Sequence, residues 1–131
     1  MNFATEDIKD MLENDSSLGL SFGSNLWIGR TPKSADNSVT LFDYEGWAPE
    51  PTLDIGEFFY NSSVQIQVRN RDYVAGLTLA RNIMDHLHLR AQEVWNGTLY
   101  TYIQAAGEPA FLSWDENGNA IFIINLNIKR R

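Results

Sequence analysis

Within residues 63–88 the hydrophobic period changes once, from two to 3.6. That change restricts the chain to folds in which a half-buried strand runs directly into a helix. Val64, Ile66 and Val68 alternate with Gln65, Gln67 and Arg69, the pattern of a strand over 63–69 with one apolar face. After the connection Asn70-Arg71, Asp72 has the side chain of an N-cap. At about 100° per residue, Tyr73, Leu77, Ala80, Ile83, Met84 and Leu87 then fall in one narrow arc, with Thr78, Asn82 and Asp85 opposite. The spacing predicts a helix over 73–88.

The flanking segments supply the rest of a sheet. Ile8, Met11 and Leu12 have i, i+3, i+4 spacing behind Glu6 and Asp7, a short N-terminal helix that stops in the turn-rich NDSSLG at 14–19. NLWIGR (25–30) and SVTLFDY (38–44) are β-rich runs around a turn-rich spacer, read most economically as a hairpin. Residues 45–62 hold Gly, Pro, acidic residues and large aromatics with neither period, the signature of a long loop. A strand over 99–105 follows the Asn96-Gly97 turn. Asn117-Gly118 between two further β-rich runs favours a two-residue type I′ hairpin that pairs Trp114 with Ile121, Leu112 with Ile123 and Phe111 with Ile124. Residues 121–124, apolar on both faces, read as a central strand. The expectation is one α+β domain over 1–131: a mainly antiparallel sheet, one long helix packed on it, and a short N-terminal helix.

Composition narrows the function. Seventeen acidic residues against ten basic ones, a formal net charge of −7, oppose a protein whose main task is gripping nucleic acid, where affinity comes from cations on phosphates. The basic Lys129-Arg130-Arg131 reads as a solvated end. Without cysteine there is no disulfide framework and no thiolate metal site. The N-terminal residues lack a basic segment followed by an apolar one, and no apolar run approaches a membrane span, so the chain reads as soluble, with no membrane partner and no export by that route.

Chemical constellations are sparse. His86 and His88 lie two apart on the predicted helix, about 200° from each other, and cannot share one ion while the helix lasts; no metal or cofactor is expected. Asp115 and Glu116 sit at a hairpin tip and alternate in direction, so an acid/base dyad is disfavoured. No G-x-S-x-G, H-E-x-x-H, P-loop or dinucleotide-type glycine pattern occurs, and no catalytic residue is assigned. Arg69 and Arg71 at the strand–helix junction leave one small-molecule reading open: a ligand-binding or enzymatic α+β domain that holds an anion against the helix N-terminus.

VQIQVRNRDYVAGLTLARNIMDHLH followed by LYTYIQAAGEPAFLSWDENGNAIFIINLNIKR, together with LFDYEGWAPEP, resembles the small minor capsid or tail terminator proteins of long-tailed bacteriophages. The likeness runs from about Val39 to Ile128. Val74 stands where an aromatic is frequent in that family, and the acidic aromatic segment before Ser63 is larger than usual. The resemblance implies a non-enzymatic virion component of the phage neck, made in the host cytoplasm. Its implied role is a hexameric ring of copies of itself that caps the tail tube protein and stops its polymerisation. The ring also meets the head connector and passes genomic DNA without specific binding. In that picture Trp47, Phe58, Phe59 and Tyr60 are aromatic anchors for a neighbour, and the acids Glu45, Glu50, Asp54 and Glu57 need basic partners or water. Gln65, Gln67 and Arg69 face an adjacent subunit or the lumen, and Arg71 anchors the turn.

Overall fold

The computed structural model describes residues 1–53 and 56–131; Asp54, named above among the acids, lies outside them. Two helices, α1 (Ala4–Glu13) and α2 (Tyr73–Leu87), accompany β1 (Leu26–Ile28), β2 (Ser38–Pro51), β3 (Phe58–Asn70), β4 (Arg90–Trp95), β5 (Thr98–Ala105), β6 (Ala110–Trp114) and β7 (Ala120–Arg130). The strands form one curled sheet in the order β1-β2-β3-β7-β5-β4, with β6 on the free half of the β7 edge next to β5. This is the expected single α+β domain, antiparallel apart from β1 against β2.

The strand–helix unit forms as its period requires. Val64, Ile66 and Val68 are fully buried beneath α2, which contributes Ala80, Ile83 and Leu87 to the same core. Asp72 Oδ1 accepts from Val74 N at 3.3 Å, satisfying one of the orphan donors at the helix start. The helix stops at Leu87 because His88 adopts extended backbone, φ −65° and ψ 132°. Gly76 is the packing key of α2: a Cβ there would lie 2.7 Å from Phe122 Cε2 and 2.9 Å from Asn70 Cβ, so the helix approaches β7 closely only without one. In α1, Ile8, Met11 and Leu12 are all fully buried, and Glu6 closes the first turn by accepting from Phe3 N at 2.8 Å.

Four expectations are corrected. The segment 45–62 is no long loop: β2 and β3 pair through most of it, as far as Pro51 with Phe58. Two bulges, between Tyr44 and Trp47 and between Trp47 and Glu50, absorb Gly46 and Pro49 and erase the alternation that would have marked a strand. β1 and β2 form a parallel pair, Leu26 beside Val39, because residues 29–37 double back over the sheet instead of turning tightly. β4, unforeseen because RAQEVW does not alternate, is an edge strand on β5. Its turn at Asn96-Gly97 has φ of 50° and 80°, the two positive values that a type I′ hairpin demands.

The turn before β7 differs for a stated reason. Asp115 Oδ1 accepts from both Asn117 N and Asn119 N, 2.9 and 2.8 Å, which lengthens the turn, and of the two central residues Gly118 alone has positive φ. A bulge between Phe111 and Ser113 then shifts the register. Trp114 faces Ala120, Ser113 faces Ile121, Phe111 faces Phe122 and Ala110 faces Ile123. β7 is central as expected, bonded to β3, β5 and β6.

A buried polar knot ties α1 to the β4–β5 hairpin. Asp7, fully buried, accepts from the Tyr100 hydroxyl and from Asn96 Nδ2 at 2.7 Å. Burial, then the hydrogen bond and the charge of Asp7, push the Tyr100 phenol well above its ordinary range, against a smaller opposing effect of Arg130. The folded phenol thus ionises later than the unfolded one, so its stabilisation is complete below the unfolded value of about 10 and drains away as pH rises past it. Thermal melts across that range should show a steeper alkaline loss for the wild type than for Tyr100→Phe. The variant starts lower by about 1–3 kcal/mol because an acceptor on Asp7 is left unsatisfied. Parallel alkaline curves would refute the knot.

Candidate functional site

The outer half of the β2–β3 ribbon carries the aromatics singled out in the sequence. Trp47 is 74% exposed, Tyr44 60%, Phe58 45% and Tyr60 38%. Gly46 makes the arrangement possible, since a Cβ there would sit 1.9 Å from the Asn61 carbonyl oxygen. Phe3, Tyr44, Trp47, Tyr60 and Arg130 line an open cavity of about 480 Å³ beside this ribbon. Exposed rings are costly in a free chain and suit surfaces that become covered.

The C-terminal cations are part of the tip and not a solvated end. Lys129 Nζ lies 3.1 Å from Glu50 and 5.0 Å from the centre of the Phe59 ring. Arg131 reaches the same ring at 5.3 Å and Glu57 at 3.9 Å. Arg130, largely buried, donates to Ser62 Oγ and to the Asn2 carbonyl. Glu50 and Glu57 therefore find their cations within the chain, and Phe59 is engaged by Lys129 and Arg131. The tip presents aromatic surface with most of its ionic groups already paired.

Gln65 and Gln67 lie on the sheet face opposite α2, as their alternation predicts. Paired positions on neighbouring strands share a face, which adds Asn125 and Asn127 from β7 and Thr40 and Phe42 from β2. Gln67 Nε2 donates to Gln65 Oε1 at 3.2 Å, Gln65 Nε2 to Asn125 Oδ1 at 3.2 Å, and Ser63 Oγ to Asn127 Oδ1 at 3.4 Å. Interrupted by the apolar Phe42 and Ile123, the amides and hydroxyls form a strip with no ionised group among them. Such a strip offers both donors and acceptors and loses little hydration energy when covered.

The two arginines do not act together. Arg69 Nε lies 3.3 Å from Asp115 Oδ2, and its NH1 donates to the Ala35 carbonyl at 3.4 Å. Burial raises the Asp115 pKa, but hydrogen bonds from Asn119 and Asn117 and the Arg69 charge outweigh it and hold the carboxyl below its ordinary value. Arg71 bonds Asp36 at 2.8 Å, and its own N–H donates to Asn37 Oδ1 at 3.1 Å. Asp72 occupies the α2 N-terminus, placing a carboxylate where an anion would be held. The histidines are likewise engaged. His86 Nδ1 faces Asp15 at 3.3 Å and its Nε2 faces the Met11 carbonyl at 3.1 Å, while His88 Nδ1 accepts from Ala105 N at 2.9 Å.

One exposed cluster was not foreseen. Tyr73, Phe111 and Trp114 are between 40% and 54% exposed; Tyr73 and Phe111 pack on buried Phe122, and Trp114 packs on those two, with ring centroids from 5.1 to 6.3 Å. Phe111 and Trp114 are three apart and would point to opposite faces of a regular strand; the bulge at Leu112 brings them together. A local break of alternation was the only available signal.

A family model described as bacteriophage tail terminator protein matches residues 7–131. The chain belongs to the bacteriophage tail terminator family. Among solved structures, a chain from the virion of a native gene transfer agent particle superposes with a TM-score of 0.68 at 12% identity, covering 97% of this chain and 93% of that one. At that identity the likeness concerns the fold. No curated protein matches the chain. As a tail terminator the protein is a structural component of the phage particle, located in the tail or neck region. No helix among the described residues is long and apolar enough to cross a membrane.

Proposed function

We propose that this tail terminator closes into a hexameric ring at the head-proximal end of the tail tube, stops the tube from growing and offers its outer rim to the head connector. The carrying observation is the family match across nearly the whole chain. Ring closure requires each copy to present one patch to a different patch on the next. Tyr44 and Trp47, paired with Ser63 and Asn61 on the amide-strip face, and Phe58 and Tyr60, on the opposite face of the ribbon, supply exposed rings of the kind that anchor interfaces. The amide strip of Gln65, Gln67, Asn125 and Asn127 faces either the neighbouring copy or the lumen, where uncharged groups let DNA pass without holding it. Arg69, closed against Asp115, contributes by fixing the edge of that strip and not as a free cation. The protein acts by association and performs no turnover.

Tube polymerisation in the presence of the purified protein tests this reading. Tubes should stop at shorter and more uniform lengths as the protein is added. Length distributions identical with and without it would overturn the proposal.

A further inference from the structure

We propose that residues 30–37 form a displaceable strap across the open face of the sheet, closed in the free chain and lifted as a step in assembly. The inference rests on the capping role proposed above for its assembly half, and on the structure alone for the strap.

Among the described residues, no backbone–backbone hydrogen bond joins residues 30–37 to a strand; the segment bonds only to itself, Ala35 N to the Pro32 carbonyl. It is held by side chains. Thr31 and Thr40 hydroxyls meet at 2.6 Å, Arg69 reaches the Ala35 carbonyl at 3.4 Å, and Asp36 meets Arg71 and Asn119. Arg71 in that pair is 66% exposed and Asp36 37%, so water competes for this contact.

What lies along the strap is unusual. Ser38, Thr40 and Asn119 are nearly or fully buried. The buried side-chain atoms without a hydrogen-bond partner among the described residues are Trp27 Nε1, Ser38 Oγ and Asn119 Oδ1. Trp27 pairs with Thr40 across β1 and β2, Ser38 pairs with Arg69, and Asn119 bonds Asp36 of the strap, which places all three at this end of the open face. Closure thus strands polar atoms that opening would hydrate, a cost that offsets the contacts the strap makes. A cover so balanced opens locally without unfolding the sheet. Lifting it would uncover Thr40, paired with Gln67 in the uncharged strip, and Ser38, paired with Arg69.

The chain contains no cysteine, so Thr31→Cys with Thr40→Cys makes one unambiguous lock where the two hydroxyls already touch. Exchange of the Trp27 indole N–H, followed by NMR, should be at least about tenfold slower in the oxidised protein than in the reduced one, while core amides such as that of Ile66 are unchanged. The oxidised form should cap about tenfold fewer tube ends, with recovery on reduction. Thr31→Ala, which loses only the hydroxyl contact, should speed Trp27 exchange and guards against a lock that fails to form. Equal Trp27 exchange in both redox states, with the bond shown to be formed, overturns the strap. Undiminished capping by the oxidised protein overturns its link to assembly. If the wild type and the reduced variant both fail to cap tubes, the capping role falls and takes that link with it, and the exchange comparison still decides the strap.

Discussion

Phe122→Ala is expected to lower unfolding stability by about 3–5 kcal/mol, a large share of the total of a domain this size. Phe122 is fully buried on β7, the strand bonded to three others, and its ring meets Tyr73 at 5.1 Å and Phe111 at 5.8 Å. Its Cε2 also occupies the space left by the missing side chain of Gly76. Removing the ring opens a cavity that α2 cannot collapse into without losing its contacts with β3, and it undercuts Tyr73 and the β6 cluster at once. Urea titration should show the loss as a lower midpoint with the slope unchanged. A loss below about 1 kcal/mol would mean that the helix and sheet do not meet around this residue as described.

Gly46→Ala has the second large expected effect, of a different kind. The added methyl meets a backbone oxygen at 1.9 Å, so no side-chain rotation relieves the clash and the bulge must re-form elsewhere. Since the outer ribbon is peripheral, overall stability should fall by only about 1–2 kcal/mol. Local protection should collapse instead: the amides of Phe59 and Asn61 should exchange at least about tenfold faster than in the wild type, while those of Ile66 and Val68 hold. Because the displaced segment carries Trp47, tube capping should weaken with it. Unchanged exchange across 58–61 would contradict the bulged pairing.

The contrast between these residues explains what was legible in advance. Around Phe122, Val64 and Ile66 the burial pattern follows the backbone period, so the strand, the helix after it and the central place of β7 could be read from spacing. The tip could not be read so, because Gly46 and Pro49 sit in bulges that interrupt the period, and a bulged strand looks like a loop rich in Gly and Pro. Trp47, Phe58 and Tyr60 are exposed on a paired ribbon and not on a loop. Trp114 illustrates the same limit, hidden by the bulge that joins it to Phe111. Side-chain capture of backbone groups is a second source of error. Asp115 holding Asn117 N and Asn119 N changes the hairpin register by one residue, and dipeptide preferences cannot register a carboxylate two positions away. The pairing of Lys129 and Arg131 with Glu50 and Glu57 depends on the curl that brings the end of β7 beside the tip, a tertiary fact with no local signal.

The role of the exposed tip is tested most directly by electron microscopy of intact tails assembled with this protein, at a resolution that shows side chains. The account predicts one ring of the chain at the head-proximal end of the tube, with Trp47 and Tyr60 covered by an adjoining subunit and Gln65 and Gln67 turned to a neighbour or the lumen. Tails that lack the protein at that end, or a ring in which the tip aromatics stand in solvent, would contradict it.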